Sequence, residues 1–318
     1  MFQNGGVKLI LSVSRRTDIP AFYTEWFFNR LKEGFVLVRN PMNYHQVSRV
    51  RLTPDVVDCI VFWTKDPTNM LDKLDLLNEY NYCFQITLNP YGSQIERNVP
   101  QKKHIIESFK ELSVSIGKKR IIWRYDPIIL TDKIDLAYHR KYFDIFASEL
   151  KDYTERCVIS FVDMYKKIER NLSNINAVAL SKKDMLEIGK TLSDIASGYG
   201  LKIEACSEPV DLSSVGIKPA KCIDDNLIAE ITGVPINVRK DKNQRDICGC
   251  GESVDIGVYN TCKHGCLYCY ANYSDTAVKN NINKHDPISP MLIGNIEPDD
   301  KITDREMVSY RENQLRLF

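Results

Sequence analysis

The most informative stretch of the chain is Val254-Asp-Ile-Gly-Val-Tyr-Asn-Thr-Cys-Lys-His-Gly-Cys-Leu-Tyr-Cys-Tyr-Ala-Asn272. Apolar and polar residues alternate from Val254 to Tyr259, and this alternation predicts a short half-buried strand. Asn260 and Thr261 end the predicted strand. A tight loop follows, and it carries three cysteines with the spacing C-x3-C-x2-C: Cys262, Cys266 and Cys269.

Three thiolates so close together repel one another unless a metal or a cluster neutralises them. Iron–sulfur clusters take Cys thiolates as ligands, and three protein ligands on a four-iron cluster leave one iron open to an outside ligand. The alternative is a zinc site in which His264 or a distant Cys is the fourth ligand. Zinc sites usually pair their cysteines as C-x2-C twice, and a His between the first two cysteines is badly placed to complete a tetrahedron. The spacing favours the cluster.

This spacing, with Tyr268 directly before the third Cys, resembles the signature of the radical S-adenosylmethionine (SAM) enzymes. In that family the open iron holds the amino and carboxylate groups of SAM, and electron transfer cleaves SAM to a 5′-deoxyadenosyl radical. The resemblance implies that Cys262, Cys266 and Cys269 hold a 4Fe-4S cluster and that Tyr268 lies against the adenine. It also implies a reductant partner such as flavodoxin or ferredoxin.

Upstream of this stretch, apolar runs that predict strands alternate with amphipathic runs that predict helices. Short loops join them, which indicates a parallel α/β sheet. Six or more such units favour a TIM-like or partial (β/α) barrel, with an open doubly wound sheet as the alternative. The predicted strands are Val7–Ser14, Val56–Trp63, Tyr82–Leu88, Arg120–Tyr125, Cys157–Val162 and Leu201–Ala205. The predicted helices are Ala21–Lys32, Asn69–Glu79, His104–Leu112, Ala137–Lys151 and Lys182–Tyr199. Two further runs, Phe35–Val38 and Gln46–Leu52, predict either a hairpin or one strand followed by an excursion from the sheet.

Several predicted strands end in polar or charged residues. In a barrel these ends converge on one rim, where the chemistry of such folds is built. Asp-Pro and Asn-Pro pairs start turns anyway, but turns do not explain the charged residues beside them. We expect three residues after the first strand to be catalytic contacts to SAM or substrate, namely Arg15, Arg16 and Asp18. Further expected cofactor contacts are Lys65, Arg124, Asp126 and Glu204, with structural ion pairs as the alternative.

The position of the three cysteines is unusual, because radical SAM enzymes normally carry them after the first strand. A barrel has no end, so the resemblance predicts a circular permutation in which Val254–Tyr259 lies beside Val7–Ser14. The chain looks like an uncharacterised bacterial family, known only as a domain of unknown function, with Ser14-Arg-Arg-Thr-Asp18 near its start and the cysteine loop near its end. The predicted divisions are barrel units over 1–205, a cysteine-rich insertion over 206–252, a closing segment over 253–285 and a tail over 286–318.

A second set of four cysteines lies between the last barrel unit and the motif. We call Cys206, Cys222, Cys248 and Cys250 the second thiol set. Four thiols in a loop-rich region match an auxiliary iron–sulfur cluster or one tetrahedral zinc ion, and thiols without metal are the third alternative. A metal ligand from elsewhere in the chain, such as His45, is a further alternative for this site. By contrast, Cys59, Cys83 and Cys157 lie within apolar strands and are expected to be inert core residues.

Composition limits the function only broadly. The chain has 318 residues and a net charge of +1, which gives no overall attraction to nucleic acid, membranes or acidic partners. The first residues lack a basic segment followed by an apolar core, and no apolar run reaches membrane-spanning length, so we expect a cytoplasmic protein. Ten cysteines in a chain of this kind indicate metal sites in a reducing compartment more than disulfides.

The last five residues, Gln314-Leu-Arg-Leu-Phe318, resemble the short peptide by which bacterial replication and repair proteins dock on the sliding clamp. The alternative is that this apolar end folds back on its own domain. Clamp docking would make nucleic acid a possible partner and DNA a possible substrate. Two functions therefore stand beside each other: a radical SAM enzyme, and a non-catalytic iron–sulfur or zinc adaptor for nucleic acid or the clamp.

Overall fold

The computed structural model describes residues 9–164 and 166–306. The strands are β1 (Leu9–Val13), β2 (Phe35–Asn40), β3 (Asn43–Arg51), β4 (Val57–Thr64), β5 (Tyr82–Thr87), β6 (Ile121–Ile128), β7 (Arg156–Phe161), β8 (Lys202–Ala205), β9 (Lys218–Pro219), β10 (Val254–Asp255) and β11 (Lys301–Asp304). The helices are α1 (Ile19–Phe22), α2 (Thr24–Glu33), α3 (Thr68–Leu71), α4 (Lys102–Ile116), α5 (Leu136–Leu150), α6 (Glu169–Ser173), α7 (Lys182–Gly198), α8 (Asp225–Thr232) and α9 (Asp275–Ile282).

Eight strands form one sheet in the order β10-β1-β4-β5-β6-β7-β8-β9, and every neighbouring pair is parallel. The predicted parallel α/β sheet is confirmed. A closed barrel is wrong, because no pairing within residues 9–164 and 166–306 joins β9 to β10. Both edge strands are only two residues long, and one residue of β9 is Pro219. Proline has no N–H to donate to a further strand, so the sheet ends there.

The strand of the cysteine motif lies beside the first strand, as predicted. Val254 pairs with Leu11 and Asp255 with Ser12, both in parallel register. The strand is shorter than the predicted Val254–Tyr259. Its end has a local cause: an Asp255 carboxylate oxygen accepts a hydrogen bond from the Gly257 N–H at 3.0 Å, which turns the backbone away from the sheet.

Different parts of the chain pack against the two faces of the sheet. Alternate residues of a strand point to opposite faces. One face packs against α2, α4, α5 and α7 through large apolar side chains such as Phe27, Phe109 and Phe143. We call the other face the insertion face, because the cysteine-rich segment 206–252 covers it, with α8 in its middle. Its sheet residues are Ile10, Cys59, Val61, Cys83, Ile122 and Val158, and they pack against Ile223, Leu227, Ile228 and the second thiol set.

The observed boundaries of several remaining elements differ from the predicted ones. The helix expected over Ala21–Lys32 is two helices, α1 and α2, which meet at Tyr23, whose φ of −136° is not helical. The helix expected over Asn69–Glu79 is α3 followed by a 3-10 turn at Leu74–Leu77. The predicted hairpin is confirmed as antiparallel β2 and β3.

The segment after α9 is folded onto this hairpin. β11, within the predicted tail, pairs in parallel with β3. His45 of β3 lies 3.4 Å from the carboxylate of Asp300 and therefore faces this segment. The sliding-clamp peptide Gln314–Phe318 lies outside the described residues, so clamp docking stays a prediction. Within the described residues, no helix combines the length and the apolar composition needed to cross a membrane.

Replacing Gly257 by alanine should destabilise the junction between β10 and β1. A Cβ at Gly257 would lie 2.0 Å from Ser14 Oγ and 2.7 Å from Ser14 Cβ, and both distances are shorter than those at which Cβ atoms are found in real proteins. We expect Gly257→Ala to lower the free energy of unfolding by about 3 kcal/mol, as overpacking does, measured by urea denaturation. The control is Gly92→Ala, because nothing lies within 4 Å of a Cβ there. Equal stability of the two variants would contradict the close approach.

Candidate functional site

The cysteine loop is closed at its base by hydrogen bonds of two asparagines. Asn260, at a φ of 55°, donates its N–H to the Ala271 carbonyl at 2.8 Å, and its side-chain oxygen accepts from Tyr273 N at 2.9 Å. The Asn272 side chain donates to the Cys262 carbonyl at 2.5 Å. α9 begins directly afterwards, capped by Ser274. The three cysteines thus lie on a fixed loop between a parallel strand and a helix.

The loop is also held from the side, by the segment that follows β5. Asn98 N donates to the His264 carbonyl at 2.9 Å, and Leu267 N donates to the Ile95 carbonyl at 3.0 Å. Glu96 and Cys266 form an isolated antiparallel bridge. Gly265 has a φ of 64°, in the region that favours glycine, which allows the turn between the first two cysteines.

The three thiols of the loop are neighbours. Each of Cys262, Cys266 and Cys269 interacts electrostatically with the other two. Cys266 is buried, and Cys262 and Cys269 are half-buried. Burial raises the pKa of all three thiols, that of Cys266 to about 12. The thiols are therefore protonated when free, and a bound metal would have to displace their protons.

No group of three or more His, Cys, Asp or Glu side chains in residues 9–164 and 166–306 is arranged to hold a metal ion as it stands. Cluster ligands differ from the ligands of a single ion, because each thiolate binds a different iron.

Asp18 connects three elements beneath the loop. One carboxylate oxygen accepts from Ala21 N at 3.0 Å and caps α1. The other lies 2.9 Å from His264 Nε2 and accepts from Lys65 N at 2.8 Å. His264 is buried, and its other ring nitrogen, Nδ1, has no hydrogen-bond partner among the described residues. Asp18 positions the cysteine loop, and a direct contact to SAM or substrate stays a prediction.

Tyr268, the aromatic residue before the third Cys, is held by a buried charge network. Its hydroxyl donates to Glu96 and accepts from Lys65 Nζ at 2.9 Å and from Asn89 Nδ2 at 3.2 Å. Burial raises the pKa of this hydroxyl, so it stays a neutral donor. Burial opposes the charge of Glu96, but Lys65 and Lys102 outweigh burial and lower the pKa of its carboxyl. The ring of Tyr268 is thereby fixed beside the thiols.

Arg15 and Arg16 follow β1 and meet β10 through Asp255. The Asp255 carboxylate accepts from Arg15 N at 2.8 Å, and the Arg15 guanidinium donates to Ser253 Oγ at 3.1 Å. The Arg15 carbonyl accepts from the Tyr270 hydroxyl at 3.1 Å, which connects it to the cysteine loop. Arg16 lies over the ring of Tyr259, with 5.2 Å from its guanidinium carbon to the ring centroid. Both arginines therefore lie against β10 and the segment that follows it, and their contact with SAM or substrate stays a prediction.

Arg124 and Asp126 lie between the two groups of cysteines. Arg124 Nη1 donates to Cys222 Sγ at 3.0 Å, and Arg124 Nε donates to Asp126 at 2.9 Å. On the other side, Asn89 Nδ2 donates to the Asp126 carbonyl at 2.8 Å and also reaches the Tyr268 hydroxyl. Arg124 thus contacts the second thiol set directly, and the Asp126 backbone is connected to the cysteine loop through Asn89, while a contact of either residue to SAM stays a prediction.

Glu204 is placed differently. Its carboxylate lies 3.6 Å from Arg156, whose guanidinium also donates to Asp224 at 2.8 Å. Burial raises the pKa of the Glu204 carboxyl. None of its contacts in the described part of the chain is to the cysteine loop, so a role in cofactor binding stays a prediction. Cys59, Cys83 and Cys157 are fully buried in their strands, as expected.

The second thiol set comes together although its members are far apart in sequence. The Sγ atoms of Cys206 and Cys222 are 3.0 Å apart. Side-chain contacts continue from Cys222 to Cys250 and from Cys250 to Cys248. Cys248 in turn interacts electrostatically with Cys206. The four thiols therefore form a ring on the insertion face.

The family described as "Domain of unknown function (DUF1848)" matches residues 10–271. The chain belongs to the DUF1848 family. The matched range includes β1 except for Leu9, and it includes β10, the second thiol set and all three loop cysteines. No curated protein matches the chain at a significant level.

Two important residues of this DUF1848 domain were not found from the sequence. Glu96 lies in an irregular segment with no motif around it, and its partners Lys65 and Tyr268 are distant in the chain. Asp255 lies within the motif strand, where its alternation predicts only an outward polar residue. Its role appears once β10 is placed against β1, and the sequence contains no local pattern for it.

Replacing Glu96 by glutamine should strongly destabilise the DUF1848 domain. The substitution removes the negative charge shared by Lys65 at 2.8 Å and by Lys102, and leaves two half-buried ammonium groups without this partner. We expect the free energy of unfolding to fall by about 3–5 kcal/mol, measured by urea denaturation. The matched control is Glu107→Gln, which breaks an exposed ion pair with Lys103 and should have little effect. Equal small effects of both substitutions would show that the buried network contributes nothing.

Proposed function

We propose that this chain is a radical SAM enzyme in which Cys262, Cys266 and Cys269 hold a 4Fe-4S cluster that cleaves SAM reductively. One observation carries the proposal. The loop with the three thiols follows a strand of a parallel sheet, precedes a helix, and lies at the carboxyl edge of that sheet. Polar and charged groups from the ends of neighbouring strands surround it, as expected for a site at this edge.

The order of the sheet supports a circular permutation. β10 is an edge strand, and β1, β4, β5, β6 and β7 follow it in sequence order and in parallel. If β10 is counted as the first strand, the cysteine loop follows strand one and the sheet continues as consecutive β/α units. This is the arrangement that the resemblance to radical SAM enzymes implies, with the chain cut between its first and second units.

The residues present fit such a cluster. The donor set consists of three neighbouring thiols, and each can bind one iron. The loop is fixed at its base by Asn260 and Asn272, so little ordering is needed on binding. His264 lies between the first two cysteines in the sequence, and its buried ring nitrogen Nδ1 has no hydrogen-bond partner among the described residues. When bound, the cluster would supply the electron that cleaves SAM.

The chain's own residues would orient SAM and exclude water. The network of Glu96, Lys65 and Asn89 holds the Tyr268 ring in one orientation, which suits a contact to the adenine. Arg16, a quarter exposed and packed over Tyr259, can offer its guanidinium to a carboxylate at this edge. The proposal also requires a reductant such as flavodoxin or ferredoxin, and places the enzyme in the cytoplasm.

SAM cleavage tests the proposal directly. The full chain is reconstituted anaerobically with iron and sulfide and given SAM and dithionite, and 5′-deoxyadenosine is measured. We expect 5′-deoxyadenosine from the unaltered chain and none from Cys266→Ala, because one cluster ligand is missing. The matched control is Cys157→Ala, which removes a buried thiol outside both groups of cysteines and should retain cleavage.

Two results would reject the proposed radical SAM activity. The first is a reconstituted chain that binds no iron and leaves SAM intact. The second is equal cleavage by Cys266→Ala and Cys157→Ala, since the reaction would then not depend on the loop. Urea denaturation of both variants checks that each is folded, so that a loss of activity reports on the cluster.

A further inference from the structure

We propose that Cys206, Cys222, Cys248 and Cys250 bind a single divalent metal ion through four thiolates, with Zn²⁺ as the ion that fits best. The site lies on the insertion face of the sheet, apart from the Cys262–Cys269 loop. It does not rest on the proposed radical SAM function, because it uses none of the loop thiols.

The first support is the ring of contacts. Each thiol of the second set neighbours two others, and the contacts close from Cys206 through Cys222, Cys250 and Cys248 back to Cys206. The four thiols come from three separate parts of the chain: the exit of β8, the segment after β9, and the Cys248-Gly-Cys250 turn. Packing four thiols in one buried place has no obvious benefit unless they share a ligand.

The second support is the pattern of donors around the sulfurs. Cys222 N donates to Cys250 Sγ at 3.2 Å, and the backbone of Ile223 also hydrogen-bonds to this sulfur. The backbone of Cys250 hydrogen-bonds to the thiol of Cys248. Backbone N–H groups directed at sulfur stabilise thiolates, which are the form that binds metal.

The third support is the charge of the neighbours. Four thiolates and one divalent ion carry a net negative charge, which is costly to bury without compensation. Arg124 donates to Cys222 Sγ at 3.0 Å and also interacts with Cys206. Arg15 interacts electrostatically with Cys250 and Cys222. The buried Arg124 of β6 and the half-buried Arg15 after β1 therefore both interact with the ring.

Distance favours one ion over a cluster. Zinc bonds sulfur at about 2.3 Å, so tetrahedral ligands lie about 3.8 Å from each other. The Sγ atoms of Cys206 and Cys222 are 3.0 Å apart and need to separate by less than about 1 Å to reach this value. The ligands of a four-iron cluster each bind a different iron and have to lie farther apart. Cys206 and Cys222 are thus nearer to the spacing around one ion, and a bound ion would draw the other two thiols toward the same point, because the four do not meet at a metal position as they stand in the described residues.

Glycine permits the turn that supplies two of the ligands. A Cβ on Gly251 would lie 2.6 Å from Val238 Cγ1, so a larger residue would displace the strand-like segment beside the Cys248–Cys250 pair. Gly251 N donates to the Ile223 carbonyl at 3.0 Å, next to Cys222. A bound ion would thus fasten the insertion to β8 and hold it against the sheet.

Metal analysis of the full chain tests the site separately from the loop. The starting protein is the triple variant Cys262→Ala, Cys266→Ala and Cys269→Ala, which cannot hold the proposed cluster, so its result does not depend on the radical SAM proposal. We expect it to retain about one zinc or iron per chain, without sulfide. Adding Cys222→Ser should remove this metal, and adding Cys157→Ala should not.

A second measurement uses no further substitution. The triple variant is stripped of metal with a chelator and titrated with Co²⁺. Tetrahedral thiolate coordination predicts strong visible bands with sulfur-to-cobalt charge transfer that saturate at about one equivalent. This readout keeps the test valid if Cys222→Ser does not fold.

Three outcomes would overturn the proposal. One is a triple variant that binds neither native metal nor Co²⁺ in this way. Another is retention of about four irons with as many sulfides, which would show a cluster at the second thiol set. The third is a disulfide between Cys206 and Cys222, found by mass spectrometry of the protein purified under reducing conditions.

Discussion

The carboxylate of Asp255 is the contact on which the candidate site depends. It accepts hydrogen bonds from Ser12 Oγ at 2.9 Å, from Ser14 Oγ at 2.5 Å and from the backbone of Arg15. The buried charge is thereby well solvated by donors of the first strand, as a buried carboxylate requires. A strand of two residues offers few backbone hydrogen bonds, so these side-chain bonds supply much of what holds β10 against β1. The same carboxylate starts the turn at Gly257, and the direction of that turn decides where the cysteine loop lies.

The loop thiols and the second thiol set are connected through buried charges. Arg124 contacts Cys222, Asp126 contacts Arg124, and Asn89 joins the Asp126 backbone to the Tyr268 hydroxyl. Electrostatic interactions are strong in a buried region because little water screens them. A change of charge at one group of cysteines therefore acts on Arg124 and Asp126, and through them on the surroundings of Tyr268. The two groups are best regarded as neighbours that share one polar layer.

The sequence was sufficient for the strands and their parallel order, because the apolar runs are long and the loops between them short. The sequence placed the motif strand beside β1 only through the resemblance to radical SAM enzymes and an expected barrel closure, which the described sheet does not show. It failed where the structure depends on single side chains. The edge strand β9, which contains Pro219, ends the sheet before a barrel can close. Nothing in the apolar pattern of the sequence indicates that β9 is only two residues long. Glu96 was missed for a similar reason: its contacts to Lys65 and Tyr268 join distant parts of the chain, and periodicity carries no record of such pairs.

The covered insertion face limits how a substrate can approach the cysteine loop. In a barrel enzyme the side of the sheet opposite the helices is interior, and ligands often enter it from the carboxyl edge. Here Leu227 and Ile228 of α8 and the second thiol set pack against that side, so its apolar residues are already buried. The partly exposed side chains near the loop include the charged Arg16, Lys102 and Asp126, each about a fifth to a quarter exposed, and the aromatic Tyr270 and Tyr273, each about half exposed. On the proposed function, a substrate therefore meets the loop along the edge of the sheet. Such a substrate would carry polar groups as well as apolar ones, since a wholly apolar substrate would desolvate the charges of Arg16, Lys102 and Asp126.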